Sequence, residues 1–402
     1  MSGIVVVGAG QAGASLVAKL RALGADGPVT LIGAETQPPY QRPPLSKGYL
    51  LGEMDEARLY LRPESYYADQ GIDLMLGRPV TALDTEARRM TVGGEEIAYD
   101  QLALTTGSVP NRLPQSIGGD LDGVFTVRTL ADIDRMSPLF ERNARVLVVG
   151  GGYIGLEAAA VASKLGLRVT LVEMADRILG RVAAPETSDY FRALHRGHGV
   201  DLREGCGLER LTGHDGRVTG AVLGDGTVIE VDFVIVGTGI RPDTRLAEAA
   251  GIVCENGIKV DEMGRTSAPG VWAAGDCAVF PWRDEMLRLE SVQNAIDQAE
   301  AVAANMLGAD AAYQPKPWFW SDQYDVKLQI AGLNTGYDRV VVRKADGAVS
   351  HWYYAGDTLL AVDAMNAARD YMVGKRLIEA GRSPAPEALA DPATDLKGLL
   401  RP

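Results

Sequence analysis

The chain has 402 residues, more than one hydrophobic core usually organises, so we expect two or three domains. Apolar residues make up 46% and charged residues 23% of the sequence, as in ordinary globular proteins. The 40 basic and 53 acidic residues give a net charge of −13, which disfavours binding to nucleic acid and to an anionic membrane surface.

The first predicted element is a nucleotide-binding turn near the start of the chain. Residues 4–13 form a short β-branched strand and a G-x-G-x-x-G turn, and a helical pattern follows over 14–23. Gly8 permits the tight turn, Gly10 lets backbone N–H groups approach a pyrophosphate, and Gly13 lets helix and strand pack closely. The helix N-terminus adds partial positive charge, so the segment predicts a dinucleotide site.

Residues 145–155 repeat this device, with Gly150, Gly152 and Gly155 as the three glycines and a helix over 156–165. The next strand, 168–173, ends on Glu173, whose carboxylate is placed to accept both hydroxyls of an adenosine ribose, as is typical of NAD sites.

The first copy differs from the second at this acidic position. Gly33 stands at the equivalent of Glu173, and the acid Glu35 follows two residues later. One such turn alone could be a glycine-rich turn without a ligand. Two copies, each with strand, helix, second strand and acid, predict two dinucleotide sites, most simply for a nicotinamide and a flavin.

Cysteine usage excludes several kinds of site. Cys206, Cys254 and Cys277 lie far apart and form no C-x-x-C, so we predict no metal site and no iron–sulfur cluster within the chain.

The sequence runs directly from its first residues into a strand, which favours a cytoplasmic location without a targeting segment. The nearly apolar run 146–163 has the length of a membrane span, but the second glycine turn and Glu157 explain it better.

Further motifs carry a resemblance to a known family. They are Pro-Tyr-Gln-Arg-Pro-Pro-Leu-Ser-Lys at 39–47, Leu-Ala-Leu-Thr-Thr-Gly at 102–107, Val-Gly-Thr-Gly-Ile-Arg-Pro at 236–242, Val-Trp-Ala-Ala-Gly-Asp-Cys at 271–277 and Pro-Trp-Phe-Trp-Ser-Asp-Gln at 317–323. Together with the two turns, they resemble the putidaredoxin-reductase-like ferredoxin reductases, FAD-dependent NADH reductases of the glutathione-reductase superfold. The resemblance covers essentially the whole chain.

The resemblance implies an α/β fold with two Rossmann-like dinucleotide-binding domains and an α+β C-terminal domain. The FAD domain would be discontinuous, 1–108 and 232–310, with the NAD domain, 109–231, inserted and the C-terminal domain at 311–402. Within the last, strand-like runs at 327–331, 339–343 and 350–354 precede a helical stretch at 365–380.

The same resemblance assigns residues to each cofactor. For FAD these are Gly8, Gly10, Gly13, Glu35, Arg42, Lys47, Thr106, Gly107, Asp276, Val292 and Trp320. For NAD they are Gly150, Gly152, Tyr153, Ile154, Gly155, Glu173 and Gly239. Lys47, Glu157 and Trp320 are the expected catalytic residues, with Glu157 paired to Lys47 near the reacting edge of the flavin.

Structural readings of these residues stay open at this point. Arg42 and Lys47 could be solvated loop cations, and Asp276 could be a helix N-cap. Glu157 could be a solvated acid favoured by the helix dipole. Trp318 and Phe319 are expected to be core aromatics rather than site residues.

The chain lacks a cysteine pair for thiol chemistry, so the expected acceptor is a one-electron carrier. The resemblance identifies it as a [2Fe-2S] ferredoxin that serves a cytochrome P450 type monooxygenase or a dioxygenase. Residues 313–382 carry nine basic and eight acidic side chains, a net charge of +1, whereas the whole chain has a net charge of −13. We therefore expect an acidic ferredoxin to dock there. A solvated surface of mixed sign is the alternative, and Lys327, Arg339 and Arg343 are the candidate docking cations.

Other acceptors remain open from sequence alone: rubredoxin, monodehydroascorbate or oxygen could take the electrons from the same core. A redox-sensing binding protein like apoptosis-inducing factor is the third alternative, but the chain lacks that protein's basic surface. NADH is expected as the electron donor, because Glu173 would repel the 2′-phosphate of NADPH.

Overall fold

A computed structural model describes residues 3–345 and 347–401. The strands are β1 (Ile4–Val7), β2 (Val29–Ile32), β3 (Ile72–Met75), β4 (Val80–Asp84), β5 (Arg89–Val92), β6 (Glu95–Ala98), β7 (Gln101–Leu104), β8 (Ser108–Pro110), β9 (Val124–Thr126), β10 (Arg145–Val149), β11 (Arg168–Glu173), β12 (Asp201–Glu204), β13 (Leu208–His214), β14 (Arg217–Leu223), β15 (Val228–Glu230), β16 (Phe233–Val236), β17 (Ile240–Pro242), β18 (Ile258–Lys259), β19 (Val271–Ala273), β20 (Ala278–Trp282), β21 (Glu285–Leu287), β22 (Trp318–Gln323), β23 (Val326–Gly332), β24 (Arg339–Ala345), β25 (Ala348–Ala355) and β26 (Thr358–Met365). The α-helices are α1 (Gln11–Ala22), α2 (Glu56–Leu59), α3 (Glu64–Asp69), α4 (Leu130–Met136), α5 (Tyr153–Lys164), α6 (Pro185–Gly197), α7 (Arg245–Ala249), α8 (Val292–Met306), α9 (Ala368–Glu379) and α10 (Pro386–Ala390).

Contacts divide the chain into two compact units, each assembled from three separate segments. Unit 1 consists of the described parts of Met1–Gln41, Asp55–Val109 and Ile240–Pro317. Unit 2 consists of the described parts of Arg42–Met54, Pro110–Gly239 and Trp318–Pro402.

Unit 1 is built on a five-stranded parallel sheet in the order β19-β7-β1-β2-β3. Its middle strand β1 pairs with β2 and with β7, and Val5 to Val7 are buried, as expected for a parallel strand covered on both faces. The core beside the sheet includes Leu16 and Leu20 of α1 and Val302 of α8. Helix α1 begins at Gln11, three residues before the predicted start, because the polar and glycine residues of its first turn hide the apolar period.

Unit 2 contains a second five-stranded parallel sheet, in the order β12-β11-β10-β16-β9, and the antiparallel sheet β13-β14-β15. The apolar run 146–163 forms the buried strand β10, the glycine turn and the largely buried helix α5, which starts at Tyr153 rather than at residue 156. Over the ranges 3–345 and 347–401, no helix is long and apolar enough to cross a membrane.

The C-terminal part of unit 2 is an antiparallel sheet in the order β22-β23-β26-β25-β24, with α9 against it. The predicted helical stretch 365–380 is wrong at its start, because Met365 is the last residue of β26. Ala364 and Met365 favour a helix by propensity, but both pair with strands on either side, and burial in the sheet decides. Asn366, with φ at +52°, then ends the strand before α9. The predicted fold class, α/β with an α+β C-terminal domain, is confirmed.

The structure also corrects the role expected for Arg343 as a docking cation. Its side chain is 5% exposed, and the guanidinium donates to the backbone carbonyls of Leu389, Asp391, Pro392 and Thr394. Arg343 therefore fastens the C-terminal segment to the sheet and presents no charge to a partner. Lys327 and Arg339 are exposed, as a docking cation must be.

Candidate functional site

The glycine turn of unit 1 leaves open space beside the N-terminus of α1. Gly8 has φ at +115°, and a Cβ there would lie 2.2 Å from the carbonyl oxygen of Thr105. A Cβ on Gly13 would lie 2.0 Å from the oxygen of Gly8, so helix and strand need both glycines. At Gly10, by contrast, a Cβ would have no described atom within 4 Å apart from the neighbouring residues of the chain, and no described side chain caps the helix. The backbone N–H groups of the first turn are thus left for an anion such as a pyrophosphate.

Four of the other unit 1 residues assigned to FAD lie just after the carboxyl ends of parallel strands: Glu35, Thr106, Gly107 and Asp276. Glu35 Oε2 accepts a hydrogen bond of 2.5 Å from the hydroxyl of Tyr40. Asp276 Oδ2 accepts a bond of 3.0 Å from Ser108 Oγ. Thr106 Oγ1 donates to the carbonyl of Asp243 at 2.6 Å. Gly107 has φ at +69° and Val292 is the first residue of α8.

The glycine turn of unit 2 repeats the geometry of the first. Gly150 has φ at +108°, and a Cβ there would lie 2.5 Å from the oxygen of Gly237. A Cβ on Gly155 would lie 2.0 Å from the oxygen of Gly150. Gly152 again faces open space at the start of α5, within the part of the chain that the structure describes. Both turns therefore fit a dinucleotide phosphate, and both do so in one chain.

Glu173, at the end of β11, is held by the glycine turn. Its Oε2 accepts from the backbone N–H of Gly151 at 2.7 Å, and its Oε1 accepts from that of Ala175 at 2.8 Å. A carboxylate has about four acceptor sites, so these two bonds orient the group and leave capacity for ribose hydroxyls. Gly239, also assigned to NAD, has φ at +95°, and its carbonyl accepts from the N–H of Asn111.

Lys47 and Glu157 form a shielded charge pair in unit 2. Lys47 Nζ lies 2.7 Å from Glu157 Oε2, and the two side chains are 18% and 2% exposed. Ser46 Oγ donates to the same carboxylate oxygen at 2.7 Å, and Ser321 Oγ donates to Oε1 at 2.6 Å. Glu157 is therefore not a solvated acid, and Lys47 is not a free loop cation. Such a pair is costly to bury and costly to break.

Arg42 also lies in unit 2, where its Nη1 donates to the carbonyl of Arg128 at 2.7 Å. The stiff segment Pro43–Ser46 that follows packs against α5, which carries Glu157. This packing explains why residues more than a hundred positions apart in sequence meet at one carboxylate.

Strand β22 carries three aromatic residues, two of which, Trp318 and Phe319, were predicted to be core residues. Trp318 packs against the C-terminal core, as expected of a core aromatic. Phe319 contacts the ring of Tyr153, with centroids 4.9 Å apart, so it lies beside the glycine turn. Trp320 is partly exposed and lies 5.6 Å from the Trp318 ring.

Tyr153, the first residue of α5, has a buried hydroxyl without a hydrogen-bond partner among the described residues. Burial raises the pKa of this phenol well above its ordinary value. An unpartnered buried donor costs free energy, and no described side chain or backbone group offsets that cost here. Its neighbour Ile154 is 41% exposed.

Sequence reasoning missed Ser46, Ser108 and Ser321 as site residues. Ser46 and Ser321 are 111 and 164 residues from Glu157, and no local pattern links a serine to a distant carboxylate. Their positions next to Lys47 and Trp320 were the only available signal.

Comparison with known proteins identifies the family. Residues 2–299 match the family described as pyridine nucleotide-disulphide oxidoreductase, and residues 318–400 match the family described as reductase C-terminal. The chain belongs to the pyridine nucleotide-disulphide oxidoreductase family, in the putidaredoxin-reductase-like group that the motifs predicted.

Individual relatives extend over the full length. The chain is 46% identical to the 5,5′-dehydrodivanillate O-demethylase ferredoxin reductase subunit of a Sphingobium species, covering 98% of this chain and 97% of that protein. The crystal structure of the ferredoxin reductase for the CYP199A2 system from Rhodopseudomonas palustris is similar with a TM-score of 0.96 at 39% identity, covering 100% of both chains. The reductase in the covalent putidaredoxin reductase–putidaredoxin complex is similar with a TM-score of 0.95 at 38% identity, covering 99% of this chain and 98% of that one.

Proposed function

We propose that this protein is the reductase of an oxygenase electron-transfer system: it takes hydride from NADH onto FAD and passes the electrons to a [2Fe-2S] ferredoxin. It is an FAD- and NAD(H)-dependent oxidoreductase, as its family membership establishes. The observation that carries the proposal is the pair of open glycine turns at Gly10 and Gly152 in one chain. Relatives of the same length are ferredoxin reductases, one of them solved together with its ferredoxin.

The domain roles follow from the division of the sequence. We assign residues 1–108 and 232–310 to FAD binding, 109–231 to NAD binding and 311–402 to the C-terminal domain. Gly8, Gly10, Gly13, Glu35, Thr106, Gly107, Asp276 and Val292, all in unit 1, would hold FAD. Arg42, Lys47 and Trp320 are assigned to the same cofactor and lie in unit 2. Gly150, Gly152, Tyr153, Ile154, Gly155, Glu173 and Gly239 would hold NAD.

When bound, FAD would supply the conversion of a two-electron hydride donation into one-electron transfers. The residues of this chain prepare that step by binding and orientation. The N–H groups at the start of α1 and α5 would receive the phosphates, and Glu173, which is held by the N–H of Gly151, would bind the ribose. Lys47 and Glu157 neutralise each other, so that Lys47 keeps a fixed position without a net buried charge.

The cytoplasm is the location we propose. Cys206, Cys254 and Cys277 are all free thiols, as is usual in a reducing compartment.

Turnover of the purified protein, loaded with FAD, against a panel of [2Fe-2S] ferredoxins tests the proposal. NADH should support reduction of at least one ferredoxin, and ferricyanide reduction serves as the control for a competent flavin. Rapid ferricyanide reduction without reduction of any ferredoxin, but with reduction of rubredoxin or oxygen, would favour the other acceptors.

A further inference from the structure

Behind Glu157, unit 2 contains a buried relay of polar side chains formed by His195, Gln323 and Ser321. His195 lies on α6, and its Nε2 is 2.8 Å from Gln323 Oε1 at the end of β22. Gln323 Nε2 is 3.2 Å from Ser321 Oγ, which is 2.6 Å from Glu157 Oε1. All three relay residues have 0% exposure. The relay therefore joins the last turn of α6 to the Lys47–Glu157 pair, and none of its three side chains is exposed to water.

The hydrogen bonds of the relay all donate in one direction. Because Gln323 Oε1 can only accept, His195 Nε2 must carry the proton, and Gln323 Nε2 must then donate to Ser321. With one lone pair of Ser321 Oγ occupied, the serine hydroxyl is directed at the carboxylate of Glu157. Donors that point along one line polarise one another, so the last bond is strengthened by those before it.

The far end of the relay is consistent with this direction. His195 Nδ1 lies 3.3 Å from the hydroxyl of Tyr324, which can donate to it when the ring is neutral. Burial lowers the pKa of His195 to about 4, so the ring is neutral at physiological pH. The Tyr324 ring stacks on the ring of the exposed His198, with the ring centroids 3.7 Å apart. This stacking holds the outer end of the relay at the surface.

We infer that His195, Gln323 and Ser321 act as positioning residues that fix the Glu157 carboxylate against Lys47 for hydride transfer. The inference rests on the proposed function, in which this pair lies beside the reacting cofactors. The relay occupies Oε1 of Glu157 and leaves Oε2 to Ser46 and Lys47. Without it, one oxygen of a carboxylate that is 2% exposed would lack its donor, and the side chain would be free to turn away from Lys47.

The burial of the relay argues for a role beyond filling space. Apolar side chains of similar volume would pack at three fully buried positions without any need for hydrogen-bond partners. Buried polar groups stabilise the fold only if all of their hydrogen bonds are made. The hydrogen bonds described above are made, and they form one chain that ends at the Glu157 carboxylate. The glutamine and the serine flank Asp322 in the strand Trp318–Gln323, the strand that also carries Trp320.

Gln323→Met tests the inference, because it keeps the length of the side chain and removes both of its hydrogen bonds. In stopped-flow experiments, flavin reduction at saturating NADH should slow about tenfold, the effect of a weakened hydrogen bond to a charged group. The dissociation constant of NADH should change less than about twofold, because the Gly150–Gly155 turn is untouched. His195→Asn, whose shorter side chain cannot reach Gln323, should act in the same way if Gln323→Met folds poorly.

A double-mutant cycle separates positioning from general damage to the fold. In a Glu157→Ala background the relay has nothing to position, so adding Gln323→Met should cause no further loss of rate. Phe191→Leu, a substitution at another buried residue of α6, is the matched control and should leave the reduction rate unchanged. Equal slowing by Gln323→Met with and without Glu157, or a wild-type rate in the single variant, would overturn the inference.

Nitrogen-15 NMR of the four histidines gives a readout independent of catalysis. His195 should show the neutral Nε2–H form in the wild-type protein, and its signals should shift in Gln323→Met and in Ser321→Ala. A His195 signal insensitive to Ser321→Ala would contradict the coupling. The outcomes also separate the two proposals: failure of the wild-type flavin to accept electrons from NADH would contradict the proposed function. A slow Glu157→Ala variant with a fast Gln323→Met variant would reject the relay alone.

Discussion

The ammonium of Lys47 and the carboxylate of Glu157 are joined by a 2.7 Å bond although 110 residues separate them in the sequence. The lysine comes from a proline-stiffened loop and the glutamate from the second turn of the helix that follows the second glycine motif. Their pairing links the loop assigned to the flavin with the helix assigned to the nicotinamide nucleotide.

Replacing Glu157 by Ala should slow flavin reduction by NADH by about tenfold or more, because Lys47 loses the partner that holds it. FAD should remain bound, since the Gly8–Gly13 turn and Asp276 are intact. Stopped-flow absorbance measures the rate, and Glu300→Ala, which removes the partly exposed Lys19–Glu300 pair, is the control. An unchanged reduction rate would show that the pair is only structural.

The protein should prefer NADH to NADPH, because Glu173, in the role proposed for it, would accept ribose hydroxyls and repel a 2′-phosphate. Loss of those bonds together with like-charge repulsion is worth about 2 to 4 kcal/mol, or roughly 30- to 1000-fold in kcat/KM. Glu173→Gln should reduce this discrimination, although it also weakens the bonds to Gly151 and Ala175. Equal kcat/KM for the two coenzymes in the wild-type protein would contradict the assignment.

Charge reversal of Lys327 and Arg339 should impair ferredoxin-dependent turnover while ferricyanide reduction stays near wild type. Both cations are exposed in the C-terminal domain, and an acidic ferredoxin would lose attraction to them. We expect a fall of about tenfold at low ionic strength, which added salt should diminish. The control reverses Arg78 and Arg89, two exposed cations of unit 1. An equal fall in both double variants would place docking elsewhere.

Arg343→Met should destabilise the protein rather than weaken docking. The guanidinium donates to four carbonyls of the segment 389–394, and Met would leave them without donors. Urea denaturation should show a loss of about 3 kcal/mol or more in the free energy of unfolding. Arg343→Lys should recover little, because one ammonium cannot reproduce the planar fork. Wild-type stability of Arg343→Met would be inconsistent with the anchoring role.

The free energy of unfolding should rise between about pH 4 and pH 6.5. Burial lowers the pKa of His195 and of His351 to about 4 from an ordinary value of 6.5, so the unfolded chain binds more protons in this window. Burial raises the pKa of Asp363 to about 6, which opposes the rise between about pH 4 and pH 6.

Each of these three shifts is worth roughly 3 kcal/mol, so the two histidines outweigh the single aspartate. Asp363→Asn should therefore make the rise steeper, since the opposing titration is removed. Urea midpoints measured at pH 4.5 and pH 6.5 test both statements, and a flat profile in the wild-type protein would refute the assignment.

Motifs with a local signature could be read from the sequence, and contacts between distant segments could not. The glycine turns can be recognised because their glycines recur at a fixed spacing that the backbone requires. The first glycine of each turn has a positive φ, and a Cβ on the first or the third would collide with a backbone carbonyl. The location of β26 was hidden because Ala364 and Met365 favour a helix, and only their pairing on both sides makes them strand residues. The burial of Arg343 was equally hidden, since its partners are carbonyls that any sequence carries.

The hydrogen bond between Ser321 and Glu157 can form only late in the synthesis of the chain. Glu157 is synthesised 164 residues before Ser321, the serine that donates the hydrogen bond to its Oε1. Until then, unit 2 lacks the strand β22 and the relay, so Oε1 of the carboxylate must remain in water or cost free energy to bury. The second nucleotide fold can thus begin early in synthesis with Lys47 and Ser46 already on Oε2 of Glu157, but Oε1 gains its serine donor only when the C-terminal segment arrives.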